Sequence, residues 1–316
     1  MPRTPRTYEK SHATSKGEKE RGLAVSIRRL VEGVMRSKIL VFFELIKFEH
    51  TVFALPFAYM SMILARKAWP GWQIFFWVTL AMVSARTAGM TLNRLIDRGI
   101  DAKNPRTKNR SIVTGEFPVV WAWVIAAVSL AVFFLSAAML NPLCLKLSPV
   151  AIFLLTIYHY AKRFSRGCHF LLGLALSAAP MGGWLAVTGR FSWMPVVLAL
   201  AVLFWVAGFD IIYSLQDMEF DKAQGLHSIP AGHGTKKALQ ISMICHGAAV
   251  AFWALFGFLN HLGALYAIGW AFAGAFLFWE HHLVSEDDLS RLQTAFFTLN
   301  GWVGIFLLIF TFLDIL

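Results

Sequence analysis

Two pairs of aspartates, each spaced four residues apart, stand at the ends of apolar segments in this chain. The first pair is Asp97 and Asp101, and the second pair is Asp217 and Asp221. Carboxylates are costly at membrane depth, so acidic residues in or beside membrane segments are candidates for a functional site. Mg²⁺ binds one or two carboxylates together with water and phosphate oxygens. The two pairs therefore predict a site where Mg²⁺ joins the protein to a diphosphate.

Helical periodicity aligns further polar side chains with these aspartates. Positions seven and eleven apart lie within about 20° of each other around a helix. The first segment then has a stripe of Arg86, Asn93 and Asp97, with Asp101 to one side. The second has a stripe of Asp210, Asp217 and Asp221, with Tyr213 to one side. Such stripes avoid lipid and face another helix or a wet cavity, where Asn93 would add a neutral oxygen ligand.

A structural role for the same stripes is the alternative. Salt bridges between helices, for example from Arg86 or Arg94 to Asp210, would compensate the charges without any ligand. A single aspartate is readily explained in this way. Two matched pairs are not, because each additional unpaired carboxylate would be costly in the membrane.

The elements that must position these residues are membrane helices. The chain has 316 residues, is 57% hydrophobic and has a mean hydropathy of +0.59, which indicates an all-α polytopic membrane protein. Apolar runs long enough to cross a bilayer recur along it. Nine are predicted, at 42–66, 72–96, 118–138, 145–161, 169–188, 193–214, 238–258, 261–279 and 293–314. Backbone groups in hydrocarbon must satisfy their own hydrogen bonds, so these runs predict a helical bundle.

Lysine and arginine are distributed unevenly among the connections. Residues 1–40 have ten basic side chains against four glutamates. With nine spans and the N-terminus inside, the inner connections hold twelve basic residues and the outer ones hold four. The positive-inside rule then places the N-terminus and both aspartate pairs at the cytoplasmic face. The net charge of +11 therefore indicates topology and anionic lipid rather than nucleic-acid binding.

The chain divides into a basic cytoplasmic tail, residues 1–40, and a transmembrane domain, residues 41–316. Apolar side chains on one face of 23–39 fit a helix lying on the membrane surface, and a basic linker fits the same composition. Span 1 must include Lys47 if it is to reach across the bilayer. Lys47 then either extends to the interface or contacts a substrate beside the aspartate pairs.

Tyr158 and Lys162 lie four residues apart where span 4 meets its cytoplasmic connection. Residues at this spacing share a helix face, and an ammonium beside a metal-bound diphosphate stabilises the departing charge. Arg163 would add a second positive charge, although both basic residues also fit a purely topological role. Basic side chains that could cover the phosphates follow span 2, namely Lys103, Arg106, Lys108 and Arg110.

Taken together, these motifs resemble the UbiA family of intramembrane aromatic prenyltransferases. The matching features are nine spans, N-x-x-x-D-x-x-x-D from Asn93, Y-x-x-x-K from Tyr158 and D-x-x-x-D from Asp217. The resemblance extends from about residue 40 to the C-terminus. Many members have Asn-Asp where this chain has Asn93-Arg94, so two rather than three carboxylates must serve in the first motif.

A narrower resemblance is to the UbiA-like branch associated with the futalosine route to menaquinone. The stretches 47–58, 85–97 and 225–230 are similar to that branch. Its members are described either as 4-hydroxybenzoate polyprenyltransferases or as enzymes that prenylate 1,4-dihydroxy-6-naphthoate. The expected acceptor is therefore one of these two hydroxylated aromatic acids.

The resemblance implies a UbiA-like bundle that transfers a polyprenyl group, with Mg²⁺ as cofactor, in the bacterial inner membrane and with a cytoplasmic active site. Mg²⁺ on the polyprenyl diphosphate would be held by Asn93, Asp97, Asp101, Asp217 and Asp221. The diphosphate charge would be offset by Arg86, Lys162 and Arg163, beside Tyr158. Lys47 would bind the acceptor carboxylate, and Asp210 and Tyr213 would lie near the reacting carbons.

Two other classes of protein use intramembrane acids. A cation transporter or channel predicts broken helices and acids at the bilayer midplane, whereas these acids lie at helix ends next to basic connections. A CDP-alcohol phosphotransferase also binds metal through aspartates, but its dense Asp-Gly-Ala-Arg motif is absent from the sequence. An anionic diphosphate fits the distribution of charge best.

Overall fold

The computed structural model describes residues 51–286 and 288–315, and within them the secondary structure is entirely helical. Nine helices in these residues are 16 residues or longer. They are α1 (Thr51–Arg66), α2 (Trp72–Ile96), α3 (Val119–Leu140), α4 (Pro142–Ala161), α5 (Cys168–Thr188), α6 (Met194–Ser214), α7 (Ile229–Leu259), α8 (Ala264–Leu283) and α9 (Asn300–Ile315). Each of the nine predicted spans corresponds to one of these helices. The prediction of an all-helical membrane protein is confirmed.

Seven segments among the described residues are long and apolar enough to cross a membrane. They correspond to α2–α7 and to 295–315, and the sixth helix continues as far as Ala223 in this respect. The apolar part of α1 is shorter, at Phe53–Arg66, and the first residues of its predicted span, with Lys47, lie outside the described residues. The proposed tail 1–40 and the surface helix at 23–39 lie outside them as well.

Capping residues explain where several helices begin and end. The side chain of Asn141 accepts hydrogen bonds from the backbone of the first turn of α4, and Pro142 occupies the first helical position. Gly189 ends α5 in the left-handed conformation, with φ of 63°. A Ser-x-Pro sequence, Ser228 to Pro230, starts α7 in the same manner as Asn141 and Pro142 start α4.

The predicted seventh span starts at residue 238, nine residues after the start of α7 and four residues after a break in its helical geometry. Helix α7 begins at Ile229, before the apolar run, because Ser228 caps it and Pro230 suits its first turn. Its first turns are interrupted at Gly234, where φ is 79° and ψ is 170°. Hydropathy alone detects the apolar part of such a helix and not its polar entry.

Helix α6 lies at the centre of the bundle, packed between α5 and α7. Its Trp205 is fully buried and lies 5.1 Å, between ring centroids, from Phe57 of α1. Trp253 of α7 stacks on Phe57 at 6.1 Å and lies 6.3 Å from Trp205. This aromatic core places the helix that leads to the second aspartate pair in the middle of the protein.

A buried polar network fixes α6 to the last two helices. The indole nitrogen of Trp205 donates to Asn300 Oδ1 at 2.6 Å, and Asn300 Nδ2 donates to Glu280 Oε1 at 3.0 Å. Asn300 and Glu280 have no exposed surface. Because unpaired polar groups are costly in an apolar interior, this chain of bonds selects one arrangement of α6, α8 and α9.

Helix α5 crosses its neighbours through glycines. A Cβ atom on Gly173 would meet the backbone carbonyl of Leu203 in α6, and one on Gly183 would meet that of Ala58 in α1. Small residues at such crossings let membrane helices approach closely and gain dispersion contacts. The packing of α5 therefore depends on these two positions having no side chain.

Adjacent glycines in α5 provide a matched test of this packing. Gly183→Ala should lower stability by about 1–3 kcal/mol, because the new methyl group collides with the backbone of α1. Gly182→Ala should leave stability unchanged, since a Cβ there meets nothing within 4 Å. Thermal unfolding of the detergent-solubilised variants measures both effects. Equal melting temperatures for the two variants would contradict the close crossing of α1 and α5.

Candidate active site

Both aspartate pairs lie where a long helix gives way to short helical segments. Helix α2 ends at Ile96, Asp97 is its capping residue, and Asp101 closes the four-residue helix that follows. Helix α6 ends at Ser214 and is continued by a 3₁₀ turn, Leu215–Asp217, and by a short helix, Met218–Ala223. The predicted polar stripes are therefore not single continuous helix faces.

The first pair is bound by two arginines from different connections. Arg163 Nη2 donates to Asp97 Oδ1 at 3.0 Å, and Asn93 Nδ2 donates to the other oxygen at 3.1 Å. Arg110 pairs with Asp101 at 2.5 Å. Burial raises the pKa of Asp97, and the nearby charge of Asp101 raises it further, while Arg163 opposes both effects. The charge of Arg163 therefore helps to keep the Asp97 carboxylate ionised.

The second pair begins with Asp217, which is held from the connection after α2. Arg106 donates from Nε to Asp217 Oδ1 at 2.9 Å and from Nη2 to Oδ2 at 2.5 Å, which is a two-pronged ion pair. Asn104 Nδ2 adds a third bond to Oδ1 at 2.9 Å. The same guanidinium donates to the Tyr213 hydroxyl at 3.2 Å and lies 5.4 Å from the ring centroid.

Lys162 compensates the charge of Asp221, the other member of the second pair. Its ammonium lies 3.4 Å from Asp221 Oδ2, and Asp221 is 2% exposed. Burial alone would lower the pKa of Lys162, but the charges of Asp221 and Asp210 outweigh it and raise this pKa above its usual value. The ammonium therefore keeps its proton throughout the physiological pH range.

Two consecutive residues thus join the two aspartate pairs. Lys162 pairs with Asp221 of the second pair, and Arg163 pairs with Asp97 of the first. The connection after α4 consequently lies between the ends of α2 and α6, with a positive charge toward each. The structure thus brings one member of each aspartate pair next to Lys162 and Arg163, and their joint role in binding a ligand stays a prediction.

A second tier of polar residues lies deeper in the bundle. Arg86 precedes Asn93 by seven positions, and Asp210 precedes Asp217 by the same interval, which is about 10 Å along a helix. Arg86 and Asp210 form this deep tier. Tyr158 lies close enough to Arg86 and Asp210 to interact electrostatically with both. Within the part of the chain that the structure describes, the buried Nε of Arg86 has no hydrogen-bond partner.

Several site residues were not predicted from the sequence. Asn104 and the histidines His159 and His169 bond to site residues, namely Asp217, Asn93 and Asp210. Their only signal is position, since each lies in a connection or within a few residues of the end of a helix that adjoins the aspartate pairs. Lys47, by contrast, was predicted and lies outside the described residues.

Comparison with known proteins agrees with the fold and the motifs. Residues 54–302 match the model of the UbiA prenyltransferase family. A 4-hydroxybenzoate octaprenyltransferase of Nitrosospira multiformis is 32% identical over 241 residues, which are 76% of this chain and 82% of that protein. One from Aromatoleum aromaticum is 30% identical over 254 residues, which are 80% and 86% of the two chains.

Solved structures give the same result. The apo structure of a UbiA homolog from Aeropyrum pernix K1 is 35% identical, with a TM-score of 0.77 over 85% of this chain and 98% of that one. A UbiA homolog from Archaeoglobus fulgidus bound to DMAPP and Mg²⁺ is 21% identical, with a TM-score of 0.65 over 87% and 98% of the two chains, and shares the fold. On this agreement of motif, family model and fold, the chain belongs to the UbiA prenyltransferase family and is a membrane-embedded transferase.

Proposed function

We propose that the protein transfers a polyprenyl group from polyprenyl diphosphate to a hydroxylated aromatic acid, using Mg²⁺ held at the two aspartate pairs. The observation that supports this most directly is the placement of Lys162 and Arg163 between Asp221 and Asp97. A diphosphate between two carboxylate pairs needs both metal ions and cationic side chains, and this arrangement supplies positions for each. The names of the curated relatives point to the same reaction.

The donor set fits Mg²⁺. Aspartate carboxylates and the Asn93 amide offer the hard oxygen ligands that this ion prefers. No three His, Cys, Asp or Glu side chains within 51–286 and 288–315 are grouped closely enough to hold a metal by themselves. That agrees with Mg²⁺, which is usually bound by one or two carboxylates and completes its coordination with water and substrate phosphate.

Mg²⁺ bound here would neutralise charge that builds on the departing diphosphate. The chain's own residues prepare for the same event. Lys162 and Arg163 each hold a carboxylate at the rim of the site, where α2 and α6 end, and Arg106 bonds to both oxygens of Asp217. Asp217 would help to hold the metal, and Arg106, once released from Asp217, would donate to phosphate oxygens in the same fork geometry.

The reaction requires a protected allylic cation. The bond between the allylic carbon and the diphosphate oxygen breaks, and the diphosphate takes the electron pair. A ring carbon of the acceptor then forms the new C–C bond and loses its proton to a basic oxygen. Aromatic rings beside the rim suit this step, since Tyr213 lies 4.1 Å from Phe296, which in turn lies 5.3 Å from Phe209. Their faces stabilise positive charge and exclude water.

Metal dependence is tested by removing charge at each pair. Asp97→Asn and Asp217→Asn should each lower turnover by at least about a hundredfold, because each removes a negative ligand from Mg²⁺. Glu219→Gln is the matched control, since Glu219 lies between Asp217 and Asp221 in sequence but pairs only with the exposed Lys222 among the described residues. Prenyl transfer by purified protein, with EDTA and then added Mg²⁺, provides the measurement. Near-normal transfer by either aspartate variant would remove the metal proposal.

The acceptor is proposed to be a planar, electron-rich ring with a carboxylate. Arg86 lies about 10 Å deeper than Asn93, which suits the acid better than the diphosphate that the sequence had suggested for it. The curated relatives' names favour 4-hydroxybenzoate, whereas the branch-like stretches favour 1,4-dihydroxy-6-naphthoate. Lys47 remains a predicted partner of the carboxylate.

A competition assay decides between the two acids. Purified protein receives equal amounts of both, with one polyprenyl diphosphate, and mass spectrometry identifies the product.

Arg86→Gln should raise the apparent KM for the acid much more than that for the diphosphate, because it removes a charge from the deep tier only. Free polyprenol without any aromatic product, or an equal rise of both KM values, would contradict this assignment of the acceptor.

The site is proposed to open to the cytoplasm of a bacterial inner membrane, because its connections are the basic ones. Cysteines introduced at Lys103 and Phe164 should then react only from the cytoplasmic side, and those at Trp69 and Phe191 only from outside. All four positions are exposed. Labelling of intact cells, with Cys144, Cys168 and Cys245 replaced by alanine, tests the orientation. External labelling at Lys103 would reverse it.

A further inference from the structure

A buried histidine connects the deep tier of the site to the start of α7. His169 lies in the first turn of α5 and has no exposed surface. Its Nδ1 lies 2.6 Å from Asp210 Oδ2, and its Nε2 accepts the backbone N–H of Ile229 at 3.2 Å. His169 belongs to none of the sequence motifs, and the proposed prenyl transfer does not use it.

The two bonds determine the state of the imidazole. The Ile229 backbone nitrogen can only donate, so the lone pair of Nε2 is already engaged. The proton of the neutral ring is then on Nδ1 and is donated to Asp210. Protonation of Nε2 would break the bond to Ile229, so His169 is suited to orient Asp210 and not to relay a proton.

Asp210 is the side chain that His169 orients. Its neighbours in α6, Phe209 and Ile211, are buried, but its own side chain is 21% exposed. It interacts electrostatically with Tyr158 and Lys162, which places it within the site. One oxygen of this carboxylate is held by His169, and the other is available to a ligand in the site.

The bond to Ile229 is one of three that join two connections of the site. The backbone N–H of His227 donates to the carbonyl of Lys162 at 2.6 Å, and Cys168 Sγ lies 3.5 Å from the carbonyl of His227. Together with the bond from Ile229 to His169, these contacts run along 162–169 and 227–229. The segment after Asp221 is thus attached to the segment that includes Lys162.

We propose that His169 is a positioning residue: through Nδ1 it holds Asp210 in one orientation, and through Nε2 it separately fixes the end of the connection 222–228 at Ile229. The role of Asp210 in this inference rests on the proposed prenyl transfer. The link from His169 to Ile229 does not, and it can be measured separately.

Two amide substitutions separate the two bonds of His169. Asparagine places an N–H near the position of Nδ1, so His169→Asn keeps the donor to Asp210 and loses the acceptor for Ile229. Glutamine reaches the position of Nε2, so His169→Gln keeps the acceptor and loses the donor. His169→Ala loses both. All three side chains fit within the volume of the imidazole.

The expected result is a split between the variants. His169→Gln should lower kcat about ten- to a hundredfold, as expected when a site group is misplaced by an ångström, with the KM for polyprenyl diphosphate unchanged. His169→Asn should keep kcat within a few-fold of the wild type but increase amide hydrogen exchange at 227–231. In the Asp210→Asn background, His169→Gln should cause little further loss of kcat, because the two changes remove the same interaction.

Other outcomes overturn the inference. Equal loss of kcat in His169→Asn and His169→Gln, or full activity of His169→Gln, would mean that His169 only packs. Full activity of Asp210→Asn would mean that the reaction does not need the Asp210 carboxylate that His169 orients. If the wild type transfers no prenyl group to any aromatic acid, the proposed function fails, and hydrogen exchange still decides the link: increased exchange at 227–231 in His169→Asn but not in His169→Gln supports it, and equal exchange refutes it.

Discussion

Charge compensation at the rim of a low-dielectric bundle is the constraint on which this site depends. A buried carboxylate is tolerated only where a cation or several donors lie against it. Asp217 obtains Arg106 and Asn104 from the connection after α2, while Asp97 and Asp221 obtain adjacent residues of the connection after α4. The connections therefore form part of the site, because the aspartates could not remain at this depth without them.

The helices, in turn, set the distances that these ion pairs require. Helix α6 is fixed on one side by the polar network through Asn300 and on another by the close crossing of α5 at Gly173. Asp210 and Asp217 are consequently held at two depths of a helix that cannot slide without breaking buried bonds. A tightly packed centre thus supports a rim whose charged groups can exchange partners when a ligand enters.

Residue patterns predict the helices and the aspartate pairs of this molecule much better than the bonds between its helices. The lengths of the apolar runs predict the nine helices, and the cost of carboxylates in a membrane identifies the aspartates as candidate site residues. The interruption of helical geometry between Ser214 and Met218 does not follow, because a 3₁₀ turn leaves no mark in a 3.6-residue period. Nor do the bonds from Arg106 to Asp217 or from His169 to Asp210, since sequence spacing on one helix is silent about the register of its neighbour.

The separation of the site into two depths is consistent with the order of events in prenyl transfer. Charge is highest where the diphosphate would lie, and there the rim provides Arg106, Lys162 and Arg163, which are partly exposed and able to change partners. The carbocation, by contrast, must be kept from water, and the aromatic rings around Phe296 adjoin the rim on the side of the bundle. An acceptor at the depth of Arg86 and Asp210 would meet the cation from the buried side. In the proposed reaction, the direction from a wet and charged rim toward an apolar interior would thus be set by where each helix ends.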